Sequence, residues 1–362
     1  MVNNDDGVAV YDHDRRSIEL KRVEVSIIIP LHRDSARFQM GLQRFLNLQF
    51  SKGYEIVVVT DTETVELPKW IKHVTTGLNH DSGPGVKRDK GLNVARGSII
   101  AFIDDDAYPQ EDWLERAIGI FEEYPNLAAL GGPGLTPPDS SWRERVGGAI
   151  YESRLGSGPL RRRFRASHGA FLRHEDDLPA FNLLVRRDAL NAIGGWKTNL
   201  YGGEDTRLCE RLVEAGFILA YNPGVVVYHY RRPIFTPHLK QIANIARHRG
   251  AFAHSFAATS RRIIYYLPSA VTLSAIAGIV CIVSILLAWP QAALPIVIIF
   301  LLAWLTVALT AVRKLRWAAL LFPAALASHH ICYGVSFVVG YLKSDRYIGG
   351  AYGGSPSTGL CE

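Results

Sequence analysis

The stretch SIIAFIDDD, residues 98–106, places a run of apolar residues directly before three carboxylates. A short apolar run bounded by polar residues is typical of a strand that is covered on both faces of a sheet. The charges of Asp104, Asp105 and Asp106 repel one another, so their clustering is costly unless a cation or a ligand offsets it. Carboxylate oxygens suit Mg²⁺ or Mn²⁺, which also contact phosphates. The stretch predicts a buried strand that ends at a metal or phosphate site, the alternative being an acidic turn before the next helix.

Strand-like and helix-like patterns alternate on both sides of this stretch. Apolar runs rich in β-branched residues predict strands at Val23–Ile29, Tyr54–Val59, Ile71–Thr75, Ser98–Ile103 and Leu127–Leu130. Helical spacing of apolar residues predicts helices over 35–48, 84–96 and 110–124. This alternation favours an α/β fold with a mostly parallel sheet that helices cover on both faces.

The polar residues that follow these strands share one edge of the predicted sheet. Pro30 comes at the end of the first strand, Asp61 follows the second, and the three aspartates follow the fourth. Ligands of open α/β sheets bind beyond the carboxyl ends of the strands. The chain has no G-x-G-x-x-G turn after the first strand and no GxxxxGKS or GxxxxGKT motif. The pattern therefore argues against a dinucleotide-binding Rossmann domain and against a P-loop NTPase.

A second acidic motif, Gly202-Gly203-Glu204-Asp205, precedes a predicted helix over Thr206–Ala215. The glycines free the backbone to place two carboxylates at the start of that helix, where the helix dipole stabilises negative charge. A carboxylate in this position can accept a proton from a hydroxyl group. The alternative is that Asp205 only caps the helix.

The last part of the chain has a different composition. Residues 263–342 contain only three charged side chains, Arg313, Lys314 and Arg316. Three apolar runs, Ile263–Trp289, Ala292–Val312 and Trp317–Leu342, each reach the length of about 20 residues that a membrane-spanning helix needs. This excludes a disordered chain, a disulfide-rich scaffold and a purely soluble enzyme. It predicts an all-α transmembrane region of about three helices over 263–342.

The remaining segments of the chain are an N-terminal arm, a segment before the first apolar run and a C-terminal tail. Residues 1–22 form a polar arm without the apolar core of a signal peptide. Residues 237–262 include an amphipathic pattern that predicts an interfacial helix, with a core-facing helix as the alternative. Residues 343–362 end in a flexible tail rich in glycine and serine. The positive charges beside the spans predict a multi-pass protein of the cell (inner) membrane, with its polar domain on the cytoplasmic face.

Several motifs together resemble a known family. They are Val25–Pro30, Asp61, residues 87–93, residues 101–106, Asn182–Arg186, residues 194–196 and residues 203–205. In this order they are similar to inverting family 2 glycosyltransferases of the GT-A fold with C-terminal transmembrane helices. The resemblance covers about residues 23–232, within a predicted GT-A catalytic domain over 23–236.

The resemblance implies roles for individual residues. Asp205, beside Glu204, would be the catalytic base. The nucleotide-sugar donor would bind at Pro30, Asp61, Arg88, Asp104 and Asp105. Asp106 and His229, which follows a predicted strand at Val225–Tyr228, would hold Mg²⁺ or Mn²⁺. Asp89 stands where many relatives have asparagine, so the contact it makes is left open.

The acceptor side is less well defined by the sequence. The long region 134–180 contains glycines, prolines and a cluster of arginines. We expect it to shape the acceptor site, with Arg161, His168 and Trp196 as candidate residues. A polybasic loop can hold a lipid pyrophosphate. The alternative is a disordered surface loop.

The predicted function is transfer of a sugar from a nucleotide-diphosphate sugar to a hydroxyl of a glycan acceptor that is lipid-linked, in cell-surface glycan synthesis. Membrane lipid is an expected partner and nucleic acid is not. A polyprenyl-phosphate sugar synthase and a catalytically silent nucleotide-sugar-binding scaffold remain alternatives. A processive polysaccharide synthase is a further alternative, although its QxxRW motif is missing and Arg247–Phe252 departs from it. The donor sugar, the acceptor, the linkage and the oligomeric state are left open.

Overall fold

The computed structural model of the chain describes residues 8–10, 19–21, 23–62, 65–165, 170–172, 178–198, 202–255 and 260–348. These residues form two compact units. The first, here called the sheet unit, contains the described residues up to Leu135 and those within Arg165–His229. The second, here called the helical unit, contains Thr136–Phe164 and the described residues from Tyr230 onward. The predicted catalytic domain over 23–236 therefore contributes residues to both units.

The elements are numbered in chain order. The strands of the described residues are β1 (Val8–Val10), β2 (Glu19–Lys21), β3 (Val23–Pro30), β4 (Gly53–Thr60), β5 (Ile71–Thr75), β6 (Ile99–Phe102), β7 (Ala107–Pro109), β8 (Leu127–Gly131), β9 (Gly134–Leu135), β10 (Ala170–Leu172), β11 (Leu183–Arg186), β12 (Ile218–Tyr221) and β13 (Val227–His229). The helices are α1 (Ala36–Phe45), α2 (Gly83–Val94), α3 (Trp113–Glu123), α4 (Trp142–Glu152), α5 (Arg154–Ser157), α6 (Arg187–Ile193), α7 (Glu204–Glu214), α8 (Thr236–Ser255), α9 (Ile263–Ala288), α10 (Ala293–Leu315), α11 (Phe322–Leu342) and α12 (Ser344–Ile348). Short 3₁₀ helices lie at Gly158–Arg163, Ala180–Asn182, Pro290–Ala292 and Arg316–Leu321.

The main sheet of the sheet unit has the strand order β10-β12-β8-β11-β6-β3-β4-β5 among the described residues. The pairs β3–β4, β3–β6, β4–β5 and β8–β12 are parallel. Strand β11 runs antiparallel to both β6 and β8, and β10 runs antiparallel to β12. The predicted α/β fold with a mostly parallel sheet is confirmed. The strands β1, β2, β7, β9, β10, β11 and β12 were not predicted, because each is too short to show a clear periodicity.

Helices cover both faces of this sheet. Side chains alternate along β3, so that Val25, Ile27 and Ile29 contribute to one core and Ile28 contributes to the other. Helices α1 and α3 pack on the first face. Helices α2, α6 and α7 pack on the second face. This burial on both faces explains why the strands are apolar along their whole length.

A smaller sheet joins β7, β13 and β9 in that order. Strand β13 pairs antiparallel with β7, and the register sets His229 opposite Ala107. Because Ala107 directly follows the three aspartates, this register carries His229 to the end of β6.

The helical unit is built on close contact between α8 and α11. A Cβ atom at Gly250 would lie 2.1 Å from the carbonyl oxygen of Phe337, and one at Gly340 would lie 2.0 Å from that of Arg247. The two helices therefore touch backbone to backbone. The amphipathic pattern predicted for residues 237–262 has Ile242, Ile245 and Ala246 on its apolar side. Of these, Ile242 and Ala246 are buried, whereas Ile245 is exposed. The predicted interfacial position of residues 237–262 stays a prediction.

Two segments of the described chain are long and apolar enough to cross a membrane. One is Ile263–Ala288, with 26 residues, and the other is Pro290–Leu342, with 53 residues. The second segment comprises α10 and α11, which the 3₁₀ helix Arg316–Leu321 connects. Most large apolar side chains of α9 and α10 are exposed. The number of membrane crossings stays a prediction, and most of the predicted arm 1–22 and of the predicted tail 343–362 lies outside the described residues.

Candidate active site

The three aspartates lie in a tight turn between β6 and β7. The backbone N–H of Ala107 donates to the carbonyl oxygen of Asp104 at 3.1 Å, which closes the turn. The carboxylate of Asp105 accepts a hydrogen bond from the backbone N–H of His32 at 2.9 Å. His32 follows Pro30 and Leu31 at the end of β3. This hydrogen bond joins the carboxyl end of β3 to that of β6. The sequence predicted polar residues at this edge of the sheet.

Asp104, Asp106 and His229 form a group that fits a divalent metal ion. One oxygen of each carboxylate and one ring nitrogen of His229 lie within 4.8 Å of one another, and all three residues are partly exposed. The Nε2 atom of His229 lies 2.9 Å from Oδ1 of Asp106. The ring of His229 packs on Phe181, with 4.6 Å between ring centroids. Two carboxylates and one imidazole are a ligand set that divalent cations accept.

Arg88 connects the two acidic motifs. Its Nη2 atom lies 2.7 Å from Oδ1 of Asp104, and its Nη1 atom lies 3.1 Å from Oε1 of Glu204. The guanidinium is only 1% exposed. A buried charge needs partners, and here each of two carboxylates takes one end of the guanidinium. The end of β6 and the start of α7 therefore lie at one site of the sheet unit.

The buried pair also affects the acid at the start of α7. Burial raises the pKa of Glu204, and the positive charge of Arg88 opposes that shift. The second carboxylate oxygen of Glu204 accepts from the backbone N–H of Gly202 at 3.0 Å. Glu204 is thus enclosed between Arg88 and its own loop, and it supports the geometry of the site.

Asp205 has a more open position than its neighbour. Helix α7 begins at Glu204, so Asp205 lies in its first turn. The residue before the helix, Gly203, has φ +79°, a left-handed conformation that favours glycine. The carboxylate accepts from the backbone N–H of Thr206 at 2.8 Å and of Ala180 at 3.4 Å. These bonds orient a partly exposed carboxylate at the N-terminus of a helix.

Trp196 lies beneath Arg88. The guanidinium carbon is 4.5 Å from the centroid of the indole, which also meets Phe102 edge-on at 5.0 Å. The indole is 1% exposed. The assignment of Trp196 to the acceptor side stays a prediction. The structure shows a contact of Trp196 that the sequence did not suggest. The indole forms a cation–π contact that helps to hold the bridging arginine.

Asp89 supports the loop that carries Trp196. Its carboxylate accepts from the backbone N–H groups of Trp196 at 2.7 Å and of Lys197 at 2.9 Å. Burial raises the pKa of Asp89, and these two hydrogen bonds oppose the shift. The aspartate at this position, whose contact was left open, thus holds the backbone on which Trp196 lies.

A second group of charges surrounds Asp61 at the end of β4. Lys87, which is 2% exposed, reaches Asp61 at 2.7 Å and Asp81 at 3.1 Å. Hydroxyl groups of Ser82 and Thr76 donate to Asp61 at 2.6 and 2.8 Å. Burial by itself raises the pKa of Asp61, but these hydrogen bonds and the charge of Lys87 overcome it and hold that pKa below its ordinary value.

The assignment of Arg161 and His168 to the acceptor site stays a prediction. Arg161 belongs to the 3₁₀ helix Gly158–Arg163 of the helical unit. His168 lies outside the described residues. Sequence reasoning assigned no role to Lys87 or His32. A signal was present for Lys87, because a buried helix face rarely carries a lysine without a carboxylate partner.

Known proteins are similar to part of this chain. Residues 26–194 match the sequence profile of the family described as Glycosyl transferase family 2. A pre-mycofactocin glycosyltransferase of Mycobacterium tuberculosis is 29% identical over 217 residues, which are 58% of this chain and 43% of that protein. The chain therefore matches less than half of the length of that relative.

Archaeal proteins are also similar. Glycosyltransferase AglE of Haloferax volcanii is 24% identical over 222 residues, covering 58% of this chain and 67% of that protein. A glucosyl-dolichyl phosphate glucuronosyltransferase of the same organism is 24% identical over 200 residues, which are 48% of this chain and 58% of that protein.

A solved structure shares the fold. It is the mannosyltransferase PcManGT of Pyrobaculum calidifontis in complex with GDP-Man and Mn²⁺, with a TM-score of 0.57 and 17% identity. The match covers 88% of this chain and 87% of that chain. The mixed, mostly parallel sheet is thus that of the GT-A fold. The chain thus carries a region, residues 26–194, that matches glycosyl transferase family 2.

Proposed function

We propose that this protein is a membrane-bound, inverting glycosyltransferase that moves a sugar from a nucleoside-diphosphate sugar to a hydroxyl of a lipid-linked glycan. The observation that carries the proposal is the bridge from Asp104 through Arg88 to Glu204. It joins the aspartates suited to a metal and a diphosphate to the helix start that bears Asp205. A donor site and a base at one place are what single-step transfer requires.

Asp104, Asp106 and His229 would hold the divalent ion. The carboxylates suit both Mg²⁺ and Mn²⁺, and the imidazole nitrogen favours the transition metal. The archaeal mannosyltransferase with this fold was solved with Mn²⁺, which supports the same choice here. When bound, such an ion supplies positive charge that stabilises the departing diphosphate.

Residues at the neighbouring strand ends would bind the rest of the donor. Asp61 keeps its negative charge through Lys87 and two hydroxyl donors, so it is suited to accept hydrogen bonds from a nucleobase or a ribose. Arg88 has a carboxylate on each side and therefore mainly fixes Asp104 and Glu204 in place. The direct contact of Arg88 with the donor stays a prediction.

Asp205 is the proposed base. Glu204 is buried against Arg88, whereas the Asp205 carboxylate is partly exposed and oriented by two backbone N–H groups. Asp205 takes the proton of the acceptor hydroxyl as its oxygen attacks the anomeric carbon. The bond from that carbon to the diphosphate oxygen breaks, and the diphosphate leaves with the electron pair. Because attack occurs opposite the leaving group, the configuration inverts.

The lipid-linked acceptor is supported by two observations. The chain has two segments that can cross a membrane. A similar archaeal protein is named for a dolichyl phosphate glycan. A domain tethered to a membrane meets a lipid-linked acceptor at a high effective concentration. The proposed location is the cell (inner) membrane, with the sheet unit on the cytoplasmic face.

The experiment is a transfer assay with the full chain in detergent, after a panel of nucleotide sugars with Mn²⁺ has identified the donor by thermal shift. We expect Asp205→Asn to lower the transfer rate by about 10³-fold, because a positioned base contributes about 10²–10⁴-fold. Donor binding should not change. Glu214→Gln, at the exposed end of the same helix, is the matched control and should transfer normally.

The assay also separates the alternatives. Normal transfer by Asp205→Asn to a hydroxyl acceptor would remove the proposed base. Retained turnover with polyprenyl phosphate alone would favour a polyprenyl-phosphate sugar synthase, because a phosphate acceptor needs little help from a base. Donor binding without transfer to any acceptor would favour a silent scaffold.

A further inference from the structure

The helical unit contains a cavity of about 430 Å³ beside the turn between α10 and α11. It is here called the basic pocket, and its lining is Trp142, Arg145, Lys314, Leu315, Arg316, Trp317 and Ala318. Aromatic rings and cations dominate this lining. It therefore differs in chemistry from the carboxylate-rich site of the sheet unit.

Neighbouring contacts fix the walls of the basic pocket. The rings of Trp142 and Trp317 lie 5.1 Å apart between centroids. Lys314 forms an ion pair with Glu152 at the end of α4. The indole N–H of Trp304 donates to the carbonyl oxygen of Leu320 at 3.1 Å, which ties the 3₁₀ helix to α10. These contacts hold α4, the end of α10 and the 3₁₀ helix Arg316–Leu321 together around the basic pocket.

The positive charge in this region exceeds the negative charge. Glu152 offsets Lys314, and Glu144 is occupied as the capping partner of Ser141. Arg145 donates from Nε to the carbonyl oxygen of Ser140 at 3.0 Å and from Nη2 to that of Pro138 at 2.5 Å. Within the described part of the chain, Arg316 has no carboxylate partner. An arginine that lines a cavity without a carboxylate can bind an anion from outside the chain.

The backbone at Arg316 adds a second observation. Arg316 has φ +53° and ψ −127°, a region that is open to glycine and strained for other residues. The chain thus places a long cationic side chain where glycine would fit the backbone better. A side chain kept at a strained position points to a role for that side chain.

The surroundings identify the anion. The basic pocket lies where two apolar helices meet, and tryptophan with arginine is typical of the interface between a bilayer and water. The anions concentrated there are the phosphates of lipid headgroups. We propose that the basic pocket binds the phosphate headgroup of a membrane lipid, with Arg316 and Arg145 as its ligands. The inference depends on the proposed membrane location but not on the proposed sugar transfer.

The test uses native mass spectrometry of the full chain in a neutral detergent, titrated with phosphatidylglycerol. Phosphatidylcholine, polyprenyl phosphate and glycerol phosphate form the comparison arms. We expect Arg316→Gly to weaken phosphatidylglycerol binding about tenfold, because a charge-assisted hydrogen bond is lost. Its thermal stability should stay equal or rise, since glycine relieves the strained backbone. A variant that binds the lipid more weakly but melts at the same or a higher temperature has lost binding and not its fold.

Arg313→Gln is the matched control, because Arg313 is exposed, lies one turn before Arg316 in sequence and does not line the pocket. It should change binding by less than about twofold. Equal losses for both variants would overturn the proposal, because they would indicate only diffuse attraction. Glycerol phosphate binding as tightly as the lipids would also overturn it. Tighter binding of phosphatidylglycerol or of polyprenyl phosphate would support the site, and their ratio would identify the lipid.

Binding of nucleotide with Mn²⁺, measured on the same samples, reports on the sheet unit separately. If that binding is absent while lipid binding still depends on Arg316, the proposed function fails and the lipid site stands. If nucleotide binds and Arg316→Gly has no effect on lipid, the lipid site fails alone.

Discussion

Arg88 of the sheet unit and Arg316 of the helical unit carry the same group in opposite surroundings. Arg88 is 1% exposed, pairs with two carboxylates and lies over an indole. Arg316 is exposed and lines a cavity without a carboxylate partner among the described residues. The two arginines also differ in backbone conformation, since Arg316 has a positive φ and Arg88 does not.

The difference separates two uses of a positive charge. An arginine whose charge is balanced inside the chain organises its own partners and adds little net attraction for a ligand. The positive charge of an arginine without a balancing carboxylate can still attract a ligand from outside the chain. Substitution should therefore damage folding at Arg88 and damage only binding at Arg316.

The largest effect is expected from Arg88→Ala. It leaves Asp104 and Glu204 facing each other without the charge that separates them. Breaking a buried ion pair in this way costs about 3 to 5 kcal/mol of stability. Thermal unfolding in detergent measures the change, with Arg316→Gly as the comparison. Equal stability of Arg88→Ala and Arg316→Gly would contradict the inference that only Arg88 is needed for folding.

The next effect is expected from Asp106→Ala. It removes one of three candidate metal ligands, and even residues behind the ligands change metal affinity by about 10–100-fold. We expect the Mn²⁺-dependent affinity for nucleoside diphosphate to fall about 100-fold, as titration calorimetry would show. Asp34→Asn, an exposed residue bonded to Gln39, is the control and should bind normally. Unchanged affinity in Asp106→Ala would reject the metal site.

A smaller effect is expected from Asp61→Asn. The folded pKa of Asp61 lies below its ordinary value. Its contribution to stability is therefore present above the unfolded pKa of 3.8 and is lost as pH falls through the folded pKa. The variant should be less stable than the wild type by about 1.5 kcal/mol at pH 7. The gap between their melting temperatures should close below pH 4, and a gap that stays constant with pH would contradict this interpretation.

The smallest effect is expected from Trp196→Phe. Phenylalanine keeps an aromatic face under Arg88, although a weaker one than indole. It also removes an indole N–H that is buried without a partner among the described residues. The two changes oppose each other, so we expect a loss of less than about 1 kcal/mol. A loss as large as that of Arg88→Ala would show that the ring, and not the ion pairs, dominates the bridge.

Sequence reasoning succeeded where the signal was local. The apolar strands β3, β4, β6 and β8 are visible as runs, because residues buried on both faces have no polar alternation. The aspartates after β6 and the acids at the start of α7 can also be recognised directly in the sequence. Their positions relative to elements depend only on neighbours in the chain.

The residues alone did not predict contacts between distant parts of the chain, and the placing of His229 with Asp106 at a metal site came from the family resemblance. Arg88 and Glu204 are 116 residues apart, and their pairing depends on how α2 and α7 pack on one face of the sheet. The contact between His229 and Asp106 depends on the register of β7 and β13, which are only three residues long. Strands so short carry no periodicity from which a register can be read.

The sequence by itself determined the alternating α/β pattern, the order of the acidic motifs and the apolar composition of the C-terminal helices, because periodicity and hydropathy report burial residue by residue. The tertiary structure alone decided that Arg88 balances two carboxylates and that Arg316 balances none within the described part of the chain, because charge compensation depends on which side chains meet across elements.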